Sequence, residues 1–339
     1  MFKSKTTIVL GAGASAEANL PTGGQLIPII RSLVSFRFEF GRLIGGDGHI
    51  WETINRHCRE NGIDPNIYAR GGNFIHEGLL FANSIDDFMD SHHSNEGVQL
   101  VGKLAILKSI LEAERRSKLY FDPHQRQKPN LDSIGENWLL PFMRVLRQGV
   151  AIEDVSRLFD NITFVSFNYD RCLEHFLHYA IAAFFKGHQS PVDVAFEGFK
   201  ILYPYGSVGP LPERRKPNVR SVEFGSVDLT IERAHGIRTY AEQFDSSSEI
   251  DAIHKAIEET ETLIFLGFAF HEPNMRLLTK GKTKIRNVFA TVQGVSSPDI
   301  TVIERQVRNL CQSSVLTPIN FLNGSCFSLF SEYQRSIAA

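Results

Sequence analysis

The chain has 339 residues, 42% hydrophobic and 22% charged, and its 36 basic side chains against 38 acidic ones leave a net charge of −2. That balance supplies a sizeable core for one large domain or two ordinary ones, and it excludes binding to nucleic acid or an anionic membrane through bulk charge. The four cysteines, Cys58, Cys172, Cys311 and Cys326, stand far apart with no C-x-x-C pair, which argues against a thiolate metal site and a disulfide framework and fits a reducing, cytoplasmic setting.

Near the start, Lys3 and Lys5 precede an apolar run and then Ala12, Ala14 and Ala16, an outline that mimics a signal peptide. Its apolar core is only about five residues long and is cut by glycine, short of the roughly 7–15 a signal needs, so it reads as a buried strand. No segment approaches the roughly 20 apolar residues that span a bilayer. The β-formers Thr6 to Leu10 run into Gly11-Ala12-Gly13-Ala14-Ser15. Strand, tight glycine turn and helix start form the arrangement that cradles a pyrophosphate, because the backbone comes close and unpaired N–H groups point at the anion. The spacing Gly11-x-Gly13-x-x-Ala16 fits the dinucleotide fingerprint with alanine in third place. The acidic residue that should follow about 20 positions later is not clear, because Leu20-Pro21-Thr22-Gly23-Gly24 breaks the chain first. By itself the motif fits a buried first strand with a glycine turn equally well.

Gln25 to Phe36 has helical spacing, Gly41 to Gly48 reads as a loop, and residues 50–158 read mostly helical. Within that block Phe74 to Met89, Val98 to Glu114 and Trp138 to Phe159 place apolar residues three and four apart, with Asn73 and Asp132 as caps. Residues 38–158 therefore form a helical insertion or subdomain on an α/β core of 1–37 plus 159–339, all within one domain. The core resumes with the strand 161–167, the helix Arg171 to Phe185, a strand at Phe199 to Tyr203 and a loop-rich stretch over 209–232. The basic cluster Arg214, Arg215, Lys216 and Arg220 falls in that stretch and reads as a solvated loop. Helix Glu249 to Glu259, strand Thr262 to Leu266, strand Asn287 to Val292 and helix Asp299 to Cys311 follow, and Phe327 to Ser336 closes the fold. This alternation predicts a Rossmann-like α/β fold with a mainly parallel sheet covered on both faces.

Four strand ends run into small or polar residues, and in an open parallel sheet such ends line the ligand crevice. They are Gly11 to Ser15, Ser166-Phe167-Asn168-Tyr169-Asp170, Tyr205-Gly206-Ser207-Val208-Gly209, and Leu266-Gly267-Phe268-Ala269-Phe270-His271-Glu272-Pro273-Asn274. Their order and spacing resemble the sirtuin-like superfamily, in its bacterial anti-phage defence branch rather than the protein deacylases. The likeness covers most of the chain, and Pro21-Thr22-Gly23 and Ser84-Ile85-Asp86-Asp87-Phe88 also match. The resemblance implies NAD as the ligand and substrate, with Gly11, Ala12, Gly13, Ala14 and Ser15 at the phosphates beside Pro21 and Thr22. It implies Asn168 and Asp170 near the nicotinamide ribose, Gly206 and Ser207 in the site, Gly267 and Phe268 behind the adenosine half, and Thr291 nearby; His271, in a strand-end loop, reads equally as pocket wall or as a structural residue. It further implies hydrolysis of NAD to nicotinamide and ADP-ribose and a separate partner such as a DNA-translocating ATPase, through which any nucleic acid would be reached; a homo-oligomer is also expected, the 26 phenylalanines suiting a large core or an oligomer interface alike. The chemistry suits these residues: breaking the N-glycosidic bond develops an oxocarbenium-like ribose, which calls for oriented acceptors and a placed water. For Asn168 the alternative is a strand-end cap of the next helix.

Two positions depart from that family. The zinc-ribbon cysteines of the deacylases are missing, so no metal is expected. Tyr205 occupies the place of the family's catalytic histidine, and a phenol near pKa 10 is a poor base at neutral pH where an imidazole near 6.5 suits. This leaves open a catalytically weak or binding-only subunit that holds NAD or ADP-ribose. Among the other histidines, His235 reads as a loop or core residue, His175 and His178 as one packed helix face without a completing carboxylate, and His92-His93 as an exposed pair.

Overall fold

A computed structural model describes residues 2–122, 130–214, 220–243, 247–278, 281–312 and 317–338. Arg215 and Lys216 of the basic cluster lie outside the described residues. The strands are β1 (Thr6–Leu10), β2 (Arg37–Glu39), β3 (Arg42–Gly45), β4 (Ile162–Ser166), β5 (Lys200–Leu202), β6 (Thr262–Leu266), β7 (Asn287–Thr291) and β8 (Ile319–Leu322). Six of them form one parallel sheet in the order β5-β4-β1-β6-β7-β8. The chain runs outward from β1 through β4 to β5, crosses back to β6, and runs outward again to β8. That is the doubly wound pattern, and its switch point lies between β1 and β6. In register, Thr6 faces Ile162 on one side and Thr262 on the other. Every residue of β1 and β6 is buried, as parallel strands covered on both faces must be. The mainly parallel Rossmann-like α/β reading therefore holds.

The helices are α1 (Ala12–Ala16), α2 (Gly23–Leu33), α3 (Gly48–Asn61), α4 (Asn66–Gly78), α5 (Ile85–Ser91), α6 (Glu96–Arg116), α7 (Leu139–Leu146) and α8 (Cys172–Phe184). They continue as α9 (Pro191–Glu197), α10 (Ile231–Ala234), α11 (Tyr240–Gln243), α12 (Ser247–Glu259), α13 (Glu272–Arg276), α14 (Ser297–Cys311), α15 (Cys326–Glu332) and α16 (Gln334–Ile337). Side-chain alternation divides the core. Val9, Val165 and Phe265 face one layer together with α4 and α6, whereas Ile8, Phe164 and Ile264 face the other with α7, α8 and α15. Within the helical block, α6 is the axis and is buried on nearly all sides. Its Glu114 forms a 2.5 Å ion pair with Arg171 just before α8, with both side chains almost inaccessible. Arg171 also donates to the carbonyls of Gly209, Val222 and Glu223, so its buried charge is fully met.

Several predicted elements differ in detail. The helix expected over Phe74 to Met89 is two, because the chain takes a 3-10 turn at Leu79–Phe81 and restarts where the Ser84 hydroxyl accepts from Asp87 N. Asn73 lies inside α4 and caps nothing, and at the second site the cap is Asn130, whose side chain accepts from Asp132 N. Trp138 to Phe159 stops as a helix at Leu146, near Gly149 with its left-handed φ of 74°, and continues as a 3-10 turn at Ile152–Arg157. The expected loop at Gly41 to Gly48 contains β3 of a small hairpin, and β8 was not anticipated. All four cysteines are buried and unpaired. No helix among the described residues is long and apolar enough to cross a membrane.

Candidate functional site

The turn after β1 is fixed by backbone contacts with the end of β6. Gly11 N donates to Leu266 O and Gly13 N to Gly267 O, both at 2.9 Å. A Cβ on Gly11 would stand 2.5 Å from Gly267 O, and one on Gly13 2.7 Å from Gly267 Cα. Gly267 itself has φ of 55° and donates its N–H to Thr291 Oγ1 at 2.8 Å. These glycines are thus required by close approach of two chain segments and by a left-handed backbone. The resemblance implies Gly13 at a phosphate; its N–H donates to Gly267 O just beyond β6, and the residue lines the cleft above.

Above this knot, at the carboxyl ends of the strands and across the switch point, opens a cleft of about 1000 Å³. This is where an open α/β sheet binds ligands. Of the sequence-predicted residues, Gly11, Ala12, Gly13, Thr22, Asn168, Tyr205, Gly267, Phe268, His271 and Thr291 line it. Ala14, Ser15 and Asp170 lie beneath the cleft around a small enclosed void that Asn168 also touches. Pro21, Gly206 and Ser207 line neither space; Gly206, with φ of 72°, bridges to Ile237 and so holds the Tyr205 turn in place.

Asn168 joins the two spaces. Its Nδ2 donates to Gly11 O at 2.9 Å and to Ser15 Oγ at 3.0 Å. Because a carbonyl only accepts, the amide orientation is determined, and Oδ1 is the atom remaining for the cleft. The Ser15 hydroxyl in turn bonds the Asp170 carboxyl, which also accepts from Cys172 N at 3.0 Å. Burial raises the Asp170 carboxyl above the usual range. The chain Asp170–Ser15–Asn168 therefore orients one amide acceptor toward the cleft, with the acid behind it.

Tyr205 is buried, and its phenol donates to Asn274 Oδ1 at 2.6 Å. Its ring lies 5.8 Å from Phe167, which packs at 5.0 Å on Phe268, so aromatic side chains line this end of the cleft. Beside Asn168, Tyr169 is also buried, and its phenol donates to the Asp86 carboxylate on α5. Burial and that carboxylate hold the Tyr169 phenol protonated, well above its ordinary pKa.

The sequence reading did not give cleft roles to Glu17, Asn83, Ser84, Asp86, Asp87, Asp90, Tyr240, Asn274 or Gly324 to Cys326, all of which line it. Asn274 had a signal, since it ends the run after β6. Asp86 and Asp87 sit in a segment singled out only by resemblance. Glu17 accepts from Trp138 N at 2.7 Å and Phe327 N at 3.0 Å, partners that no local pattern relates.

His235 is exposed and outside the cleft lining. His175 stacks 3.9 Å from the Phe224 ring, and burial pushes its pKa down to about 3. His178 is also lowered by burial. His92 is half-buried and packs on Phe88 and Phe74, unlike the exposed pair expected. Among the described residues no group of three or more side chains could hold a metal ion.

The class is thus a doubly wound α/β protein with a ligand-sized cleft at its switch point. No known family model matches the chain, and no curated protein matches it in sequence. Among solved structures, one similar chain is a histidine-to-asparagine variant of a Sir2 homologue in complex with ADP-ribose. The alignment covers 99% of this chain and 92% of that one, at 13% identity and a TM-score of 0.37.

Proposed function

We propose that the cleft binds NAD and hydrolyses its N-glycosidic bond, releasing nicotinamide and ADP-ribose. The observation that carries this reading is the amide of Asn168, fixed by Gly11 O and Ser15 Oγ with its carbonyl left for the cleft, beside the glycine knot at the switch point of a doubly wound sheet. A fixed acceptor at the reacting sugar can hold a ribose hydroxyl or the attacking water, and it needs no reorganisation as positive charge develops. When the C–N bond breaks, its electron pair goes to the pyridinium nitrogen, so nicotinamide leaves neutral without needing a proton. Water adds to the sugar carbon and loses one proton to solvent. The demand for a general base is therefore modest, and Asp170 acts through Ser15 rather than on the substrate.

The sequence resemblance supports placing this activity in bacterial anti-phage defence, in a cytoplasmic homo-oligomer working with a separate partner such as a DNA-translocating ATPase. The helical residues 38–158 then act as a subdomain that walls the cleft of the α/β core.

One observation favours a second reading. The Tyr205 phenol donates to Asn274 Oδ1, which occupies it as a donor and leaves no base at the position where the resembling family has histidine. On this reading the chain holds NAD or ADP-ribose without cutting it. Mass spectrometry of NAD incubated with the purified protein, alone and with its genomic neighbour, separates the two. Free nicotinamide that disappears in Asn168→Ala supports hydrolysis. Saturable binding with unchanged NAD over hours supports the binding module, and Tyr205→His is then expected to start nicotinamide release. Absence of both binding and turnover would refute the NAD assignment.

A further inference from the structure

The cleft has two walls, and the second is built by the helical block. Helix α5 turns Ile85, Phe88 and Met89 into the core, while Asp86, Asp87 and Asp90 line the cleft. From this helix the Asp86 carboxylate reaches across to the floor and accepts the Tyr169 phenol. Tyr169 lies between Asn168 and Asp170, and its own carbonyl accepts from Val208 N at 3.1 Å. Its ring stands 6.5 Å from that of Tyr205. One side-chain hydrogen bond thus connects α5 to the short segment that carries the oriented amide.

We propose that Asp86 is a positioning residue: through Tyr169 it holds α5 against the strand tips and fixes the backbone on which Asn168 presents its amide to the ligand. The hydrogen bond is charge-assisted and part-buried, with the Tyr169 side buried, so its loss is costly. Breaking it frees α5 and loosens the turn after β4 together, because the same phenol serves both. A ligand that contacts both walls stabilises this bond, and by linkage the bond strengthens the ligand's hold to the same degree. The part of the proposal concerning ligand rests on the NAD reading; the mechanical part does not.

The test has two arms on the full chain, comparing wild type with Asp86→Ala, Asp86→Asn, Tyr169→Phe and the Asp86→Ala/Tyr169→Phe double variant. In the first, ligand-free, arm, amide hydrogen exchange is followed over residues 85–91 and 168–172. Asp86→Ala and Tyr169→Phe are expected to speed exchange in both segments by the same factor, on the order of tenfold. The double variant is then no worse than either single one. Asp86→Asn stays close to wild type, because its amide carbonyl still accepts the phenol. In the second arm, calorimetry with ADP-ribose is expected to show about tenfold weaker binding in Asp86→Ala and Tyr169→Phe and recovery in Asp86→Asn. Exchange that changes only over 85–91, or single effects that add in the double variant, overturns the proposal even if ADP-ribose binds normally. A wild-type protein that takes up no ADP-ribose overturns the ligand part, and the NAD reading falls with it only if NAD is neither bound nor cut; the exchange arm still decides whether Asp86 positions the floor.

Discussion

The two walls of the cleft are made differently. On the core side, Gly11, Gly13 and Gly267 lock two chain segments through main-chain hydrogen bonds, at separations no side chain can enter. On the opposite side, α5 is connected to the floor by a side-chain bond, Asp86 to Tyr169, and its parent helix α6 by the Glu114–Arg171 pair. A wall built from backbone has one geometry and tolerates no substitution. A wall built from side chains can be released one contact at a time.

The largest effect is expected on the helical side. Glu114→Ala leaves the Arg171 charge buried without its counter-ion, held only by three carbonyls, and should cost about 3–5 kcal/mol in a denaturant melt. A loss below about 1 kcal/mol would mean that the pair does not tie the two halves together. Gly267→Ala, on the core side, combines a left-handed backbone with overlap of the Ala14 backbone and should cost about 3 kcal/mol or more. Full stability of that variant would break the contrast between the walls. Asn168→Ala removes one of two donors to Gly11 O, the Ala14 N–H remaining, and should destabilise by about 0.5–1.5 kcal/mol, alongside an expected drop of about 100-fold in any turnover.

Acidification should sharpen the picture on the opposite face of the sheet. His175 is neutral in the folded chain down to about pH 3, whereas in the unfolded chain it takes up a proton near pH 6.5. Between those values the unfolded state binds more protons. Stability is therefore lost as pH falls through that window, by up to about 1.4 kcal/mol per pH unit from this one group. Burial raises the carboxyls of Asp86 and Asp170, which work in the opposite direction. Melts of His175→Phe across pH 3–6.5 should show a shallower loss than wild type; parallel curves would count against the assignment. The smallest effect belongs to Gly24→Ala. That position lies in α2 with nothing near a new Cβ, so a gain of about 0.5–1 kcal/mol is expected.

The same division explains what the sequence revealed. The core wall was legible because its constraints are local. β1 and β6 are short apolar runs ended by glycine, so the strands, their parallel pairing and the residues Gly11, Gly13, Asn168 and Gly267 could be placed together. Legibility failed where the reason lies far along the chain. That the Gly13 N–H bonds Gly267 O, some 250 residues on, has no local signal. Asp86 carries no motif that points to Tyr169. Asp170 is adjacent to the site in sequence but turns its carboxyl to Ser15 and Cys172 beneath it. β8 was missed because four residues of intermediate burial at a sheet edge leave no strong alternation.

The carboxylate of Glu17 has a consequence for how the molecule is made. It accepts one amide from Trp138 and another from Phe327, so three remote stretches of chain meet on a single side chain at the rim. Closing such long loops is slow compared with local helix formation. Until the stretches around Trp138 and Phe327 have both reached Glu17, this part of the rim stays open, so the cleft takes its final outline only after its most distant segments have met.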